Sequence, residues 1–319
     1  MNTKYVIATV AIIALIAVAA FVYVYYEGQA AAAAQLEALH NLVDDTGYVT
    51  SMDAYPNKII SLAPSTTEIL FALGLDDKVV AVSNYCDYPY NFSAWIAAGN
   101  MSSIGDFSNP NMEVIASLEP DLILATGGVQ AETVDTLRNL AQKVLVLNPT
   151  DVDGVLQNIE LVGNATGKTA EAKALNANLA SRINAVVATV ANAASMPKVY
   201  YEVWYDPLMT VGVNAWQNAL IEKAGGVNVF GDQNLGYFTS SDEAVIERNP
   251  DVIVLPSEGM GWQFWGSIDD VKARPGYSSI NAVQNDRICL VDSNTIARAG
   301  PRVADIIEDL AEAFHPELF

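Results

Sequence analysis

From residue 57 onward, short apolar runs alternate with segments whose apolar positions recur every three or four residues. The runs at 58–62, 79–82, 122–125 and 144–147 predict buried strands, and the periodic stretches between them predict helices. The first of these helices opens at Ser65, with Glu68 at capping-box spacing and Gly74 as its stop. After Pro197 the alternation resumes, with strands at 198–204, 252–255 and 288–291 and a last helix over 302–314. Asn214 is placed to cap a helix that runs to Lys223. Such alternation argues for mainly parallel sheets covered on both faces.

Between the two α/β stretches the pattern is helical throughout. A shorter helix is expected from Val152 to about Val162, and a longer one over 168–194, which holds no Gly or Pro. Leu175, Leu179, Ile183, Val186 and Val190 fall on one face of the longer helix. At 1.5 Å per residue it is a rod of about 40 Å. The link at 163–169 has Gly163 and Gly167 too close together for a phosphate-binding loop, and a helix leads into it rather than a strand; it reads as a helix–helix turn. The expected class is therefore α/β: two lobes, 57–150 and 197–319, joined by a helical strut, 151–196, with a ligand between them.

The N-terminus follows a different pattern. Lys4 precedes an uncharged run, residues 5–26, long enough to span a bilayer, with Glu27 beyond it. Residues 1–27 are thus expected to be a membrane anchor with the bulk of the chain extracytoplasmic, and 28–56 a tether. A cleaved signal peptide is the competing reading, since 30–34 offer small residues to a peptidase. The length of the run, and the lack of a nearby Cys for a lipid, favour an uncleaved transmembrane helix.

Composition narrows the chemistry. A formal charge of −21, from 37 acidic and 16 basic residues, excludes a surface built to wrap nucleic acid. Only Cys86, Cys289, His40 and His315 offer sulfur or imidazole, with no CxxC, so zinc and iron–sulfur sites are not expected. The cysteines read as buried thiols, or as a disulfide if the fold brings them together. An internal echo is present as well. Residues 111–124 and 241–254 align at a constant offset that superposes Glu113 on Glu243, Pro120 on Pro250 and Asp121 on Asp251. Phe107 and Tyr237 stand equally far ahead of the two glutamates, so the lobes are expected to share an architecture.

Five segments carry a resemblance: 60–74, Tyr85-Cys86-Asp87-Tyr88-Pro89, Ile104-Gly105-Asp106-Phe107, 118–125 and Arg298-Ala299-Gly300-Pro301-Arg302. Taken together they resemble the substrate-binding proteins of ABC importers for cobalamin and ferric siderophores, the class with a single backbone helix between its lobes. The resemblance spans about residues 57–319. It implies a ligand in the cleft between the lobes, and an ABC permease with its ATPase subunits as partners. By position, Glu113 and Glu243 match the acids that dock on permease arginines. Tyr85, Phe107 and Tyr237 match aromatic positions that face the corrin in cobalamin binders, although Trp is usual at the last two. Thr126 replaces a third aromatic, and Arg298 matches a basic residue near the cleft.

Other candidates come from their place after strands: Trp204 and Tyr205 in one loop, and Trp262, Phe264 and Trp265 in another. Ser65, at the start of the first helix, completes the ligand-binding set of Ser65, Tyr85, Phe107, Thr126, Tyr205, Tyr237, Trp262, Trp265 and Arg298. Many aromatics and few bases favour cobalamin or another corrinoid over a ferric siderophore or haem. A continuous connecting helix implies small lobe closure. No catalytic residue, covalent cofactor or resident metal is expected. An enzyme would need an acid–base pair or a nucleophile in these loops, and neither His lies there. A tethered sensor or adhesive module on the same fold is the other rival.

Overall fold

The computed structural model describes residues 16, 18–28, 37, 39–257 and 266–319. Two parallel sheets form the framework. In the N-terminal lobe, β3 (Ile59–Ser61), β4 (Val79–Val82), β5 (Ser102–Ser103), β6 (Leu122–Ala125) and β7 (Val144–Val146) lie in the order β5-β4-β3-β6-β7. In the C-terminal lobe, β8 (Lys198–Tyr201), β10 (Val227–Asn228), β12 (Val252–Pro256) and β13 (Ile288–Val291) lie in the order β10-β8-β12-β13. Every pairing in both sheets is parallel. Every residue of β3, β6, β7 and β12 is buried, as strands covered on both faces require. Two antiparallel pairs flank these sheets: β1 (Leu42–Val43) with β2 (Val49–Thr50), and β9 (Met209–Val211) with β11 (Tyr237–Thr239).

Helices α1 (Pro64–Ala72), α2 (Phe92–Ala97), α3 (Met112–Leu118) and α4 (Ala131–Asn139) belong to the first lobe. Two helices follow, α5 (Val152–Thr166) and α6 (Thr169–Val190). The second lobe contributes α7 (Trp216–Lys223), α8 (Asp242–Arg248), α9 (Ile268–Lys272), α10 (Asn281–Gln284), α11 (Ser293–Ile296) and α12 (Val303–Phe314).

The repeated unit is conformational as well as sequential. Asn111 caps α3 and Ser241 caps α8 through their side chains. Both helices end on a left-handed residue, Glu119 at φ 49° and Asn249 at φ 46°. The aspartate that follows then ties the next strand to its neighbour. Asp121 Oδ2 accepts the Lys58 N–H at 2.9 Å, and Asp251 Oδ2 accepts the Lys198 N–H at 2.9 Å.

The connection is a helical hairpin rather than one rod. Gly167, left-handed at φ 77°, ends α5, and α6 runs back along it. Asn176 Nδ2 donates to the Leu156 carbonyl at 2.8 Å, and Gly163 lies so near Ala172 that no Cβ fits between them. The long arm, α6, has 22 residues, or about 33 Å, and stops short of Ala194. Asn192 stops it: its amide donates to the carbonyls of Ala188 and Thr189, which leaves them no need of a further turn. Leu179, Ile183, Val186 and Val190 are buried on one face and Leu175 packs at its edge. Arg182 fixes α6 to α12 through Asp305 at 2.6 Å and Glu308 at 2.5 Å. One apolar cluster runs from Leu39 through α5 and α6 to Phe314, so the lobes share a core.

The expected tether is corrected over residues 39–56. Leu39, Leu42 and Met52 are each at most 3% exposed and belong to that shared core. Asp44 accepts the Val146 N–H at 2.9 Å and pairs with Arg138, which lies over the Tyr48 ring. Apolar burial and a fully satisfied carboxylate make this segment part of the first lobe. Residues 29–36 lie outside the described residues. So does most of the expected span, 5–26, although residues 18–28 are helical with Phe21, Tyr23 and Tyr26 exposed. Among the described residues, no helix is long and apolar enough to cross a membrane. Cys86 and Cys289 are both free.

Candidate functional site

Open parallel sheets present ligands to the loops at the carboxyl ends of their strands. In the first lobe those loops follow β3, β4, β5 and β6, and one buried side chain ties together the segments after β3, β5 and β6. Gln130, 0% exposed, donates from Nε2 to the Leu62 carbonyl at 2.9 Å and the Phe107 carbonyl at 2.8 Å. Its Oε1 accepts the Thr126 N–H at 2.9 Å. Phe107 and Thr126, both half-buried, are thus held in place through their backbones. Tyr85 is exposed and its hydroxyl donates to Asp106 Oδ2 at 3.1 Å. The N–H groups of Ser108 and Asn109 hold the Asp106 carboxyl below the usual carboxylate range, so this wall keeps its negative charge.

The second lobe is braced by a buried ion pair. Glu202, directly after β8 and fully buried, accepts from Arg274 Nη1 at 2.6 Å and Nη2 at 2.9 Å. The same guanidinium lies 3.7 Å from the centre of the Tyr205 ring, so the pair orients an aromatic of this loop. Tyr277 donates to Asp242, the first residue of α8, at 2.7 Å. Tyr237 is exposed, and its hydroxyl donates at 2.9 Å to Gln217, which is buried. Trp204 donates from Nε1 to the Asp206 carbonyl at 2.9 Å. Trp262, Phe264 and Trp265 lie outside the described residues.

Where the lobes meet, the structure departs from the expected capping box. Ala63 is the N-cap of α1 and makes no side-chain cap. Glu68 turns instead to the other lobe, its side chain 1% exposed. Arg302 donates to it from Nε at 2.9 Å and Nη2 at 2.7 Å, and Arg298 from Nη1 at 3.2 Å. A desolvated carboxylate between two guanidiniums is more stable paired than left to cap a helix end in water. Arg298 also donates to Asp87 at 2.5 Å and to the Tyr85 carbonyl at 3.3 Å. It therefore reaches the candidate loop, but with its charge already matched. Ser65 stands at the same junction, its carbonyl against Gly300.

Glu113 and Glu243 occupy equivalent places, in the first turns of α3 and α8, and both are exposed. The Glu243 carboxyl lies below its ordinary range because its own N–H and the Ser241 side chain bond to it. Two open depressions lie elsewhere, one lined by His40, Gln157 and Glu160 and another by Asp151, Glu222 and Lys223. Neither has an aromatic wall of Phe, Tyr or Trp.

Sequence reasoning did not single out Gln130, Gln217, Glu202, Arg274 or Arg302 as site residues. A buried glutamine or an ion pair between distant segments leaves no periodic trace. Of these only Arg302 stood inside a motif.

The sequence profile of the periplasmic binding protein family matches residues 59–295. An uncharacterized ABC transporter substrate-binding lipoprotein of Bacillus subtilis is 33% identical over 83% of this chain and 82% of its own length. A cobalamin-binding protein of Halobacterium salinarum is 29% identical over 85% of this chain and 73% of its own. Among solved structures, a periplasmic heme-binding protein of a Roseiflexus species in apo form superposes with a TM-score of 0.71 at 27% identity, covering 82% of this chain and 99% of that one.

Proposed function

We propose a function on the premise that this chain belongs to the periplasmic binding protein family and is a solute-binding protein rather than an enzyme. It is the extracytoplasmic ligand-capturing component of an ABC importer, held at the membrane by residues 5–26. Its ligand is a metal chelate, a corrinoid such as cobalamin, taken up between the lobes. The observation that carries this reading is the presence of two braced aromatic sets, Tyr85 and Phe107 on one lobe and Tyr205 and Tyr237 on the other. Large flat-faced ligands are gripped by aromatic walls with few unmatched bases, which is what these residues supply.

The relatives support the same class, one named for cobalamin and one for heme. The relative described as a lipoprotein supports attachment outside the cytoplasm. The shared core and the Glu68 junction let the lobes close only slightly, so the permease reads a nearly fixed spacing between Glu113 and Glu243. A ferric siderophore or haem is the second reading, favoured by the heme-binding structural relative.

Native mass spectrometry of the full chain from its own cells tests this directly. One corrinoid per chain is expected. A co-purifying haem or ferric siderophore supports the second reading, and a chain that carries and accepts no chelate contradicts both.

A further inference from the structure

We infer that Asp87 is a specificity-determining residue: it cancels the charge of Arg298 at the mouth of the cleft, so that the site admits neutral or cationic chelates and turns away anionic ones. This rests on the reading that the cleft between the lobes is the ligand site. The argument begins with where the bases are. Among the described residues, the segments that follow the strand ends carry two arginines, Arg298 and Arg302. Arg274 reaches the same side and is spent on Glu202. Residues 258–265 include no Lys, Arg or His, so they add no positive charge.

Both arginines are over-compensated. Glu68, Asp87 and Asp292 form one cluster with them, three carboxylates against two guanidiniums. Glu68 is buried in the junction, whereas the Asp87 side chain is 54% exposed and belongs to the same loop as Tyr85, whose carbonyl Arg298 also reaches. Asn294 Nδ2 holds its second oxygen at 3.4 Å. Asp106, two loops away and kept ionised by its backbone partners, adds to the negative field. An anion that approaches Tyr85 therefore meets carboxylates and, among the described residues that follow the strand ends, finds no unmatched arginine.

Asp87 is open to test because it is exposed and outside the core. Asp87→Asn keeps an oxygen that accepts from Arg298 and removes the charge; Asp87→Glu keeps the charge. The full chain in detergent is titrated with three probes: cyanocobalamin, which is neutral; ferrioxamine B, a cation; and an iron(III) tris-catecholate, a trianion. The original chain binds one or both of the first two and rejects the trianion. Asp87→Asn raises affinity for the trianion about tenfold at low salt, and the gain shrinks as salt screens the charge. Affinity for cyanocobalamin stays within about threefold, and Asp87→Glu restores the exclusion. Equal binding of all three probes by the original chain, or no gain for the trianion in Asp87→Asn, overturns the inference while leaving the cleft as the ligand site. No binding of any probe overturns the inference together with the reading beneath it.

Discussion

Glu68 on α1 and Arg302 at the start of α12 meet in a two-pronged ion pair across the lobe junction, 2.9 Å from Nε to Oε2 and 2.7 Å from Nη2 to Oε1. The carboxylate is out of water, and a second arginine, Arg298, shares it. Removing it leaves two guanidiniums without their buried counter-charge. Glu68→Ala is expected to lower unfolding free energy by about 3–5 kcal/mol, read from the denaturant midpoint. A loss under about 1 kcal/mol, the value of an exposed pair, would contradict a buried junction.

Tyr237 presents its ring to solvent while its hydroxyl is anchored on Gln217. Such a fixed aromatic loses little freedom on contact with a ligand. Tyr237→Ala is expected to weaken corrinoid binding about tenfold without shifting the thermal midpoint by more than a few degrees. An unchanged affinity would remove Tyr237 from the contact surface.

Glu113 and Glu243 lie in the first turns of two helices that repeat the same cap, turn and strand. Reversing both, Glu113→Lys with Glu243→Lys, is expected to abolish uptake in cells and leave ligand affinity in solution intact. Lost affinity would show that the glutamates serve the cleft rather than docking.

Asp309 on α12 has its pKa raised by desolvation and by the carboxylates of Asp305, Glu308 and Glu312. A raised folded value means that ionising Asp309 opposes folding at neutral pH and does not in acid. Asp309→Asn is therefore expected to melt higher than the original chain at neutral pH. The advantage narrows as pH falls through the folded pKa and is gone below the unfolded one. Thermal melts at paired pH values read this; an advantage that persists in acid would point to packing instead.

The lobes were legible because buried parallel strands such as 122–125 are unbroken apolar runs, and because the Glu-Pro-Asp echo repeats a whole helix-turn-strand unit. The edge strands β5 and β10 were not, since pairs such as Ser102–Ser103 hold no apolar signal. The tether reading over 39–56 failed because Leu39, Leu42 and Met52 are too widely spaced for a period, yet all reach the core. Of the candidate site, Tyr205 could be named by its position after a strand, whereas Tyr85, Phe107 and Tyr237 were named only through the family resemblance. The groups that brace them, Gln130 and the Glu202–Arg274 pair, depend on contacts between distant segments and show only in three dimensions. Glu68 is instructive: its spacing from Ser65 suits a cap, but burial against Arg302 decides its role.

Calorimetric titration of the full chain with cyanocobalamin, beside a Tyr85→Ala/Tyr237→Ala variant, bears most directly on capture between the lobes. One site per chain is expected in the original, and at least about a tenfold loss of affinity in the variant. Equal affinity in the two proteins, or no heat in either, would contradict a corrinoid held by these loops.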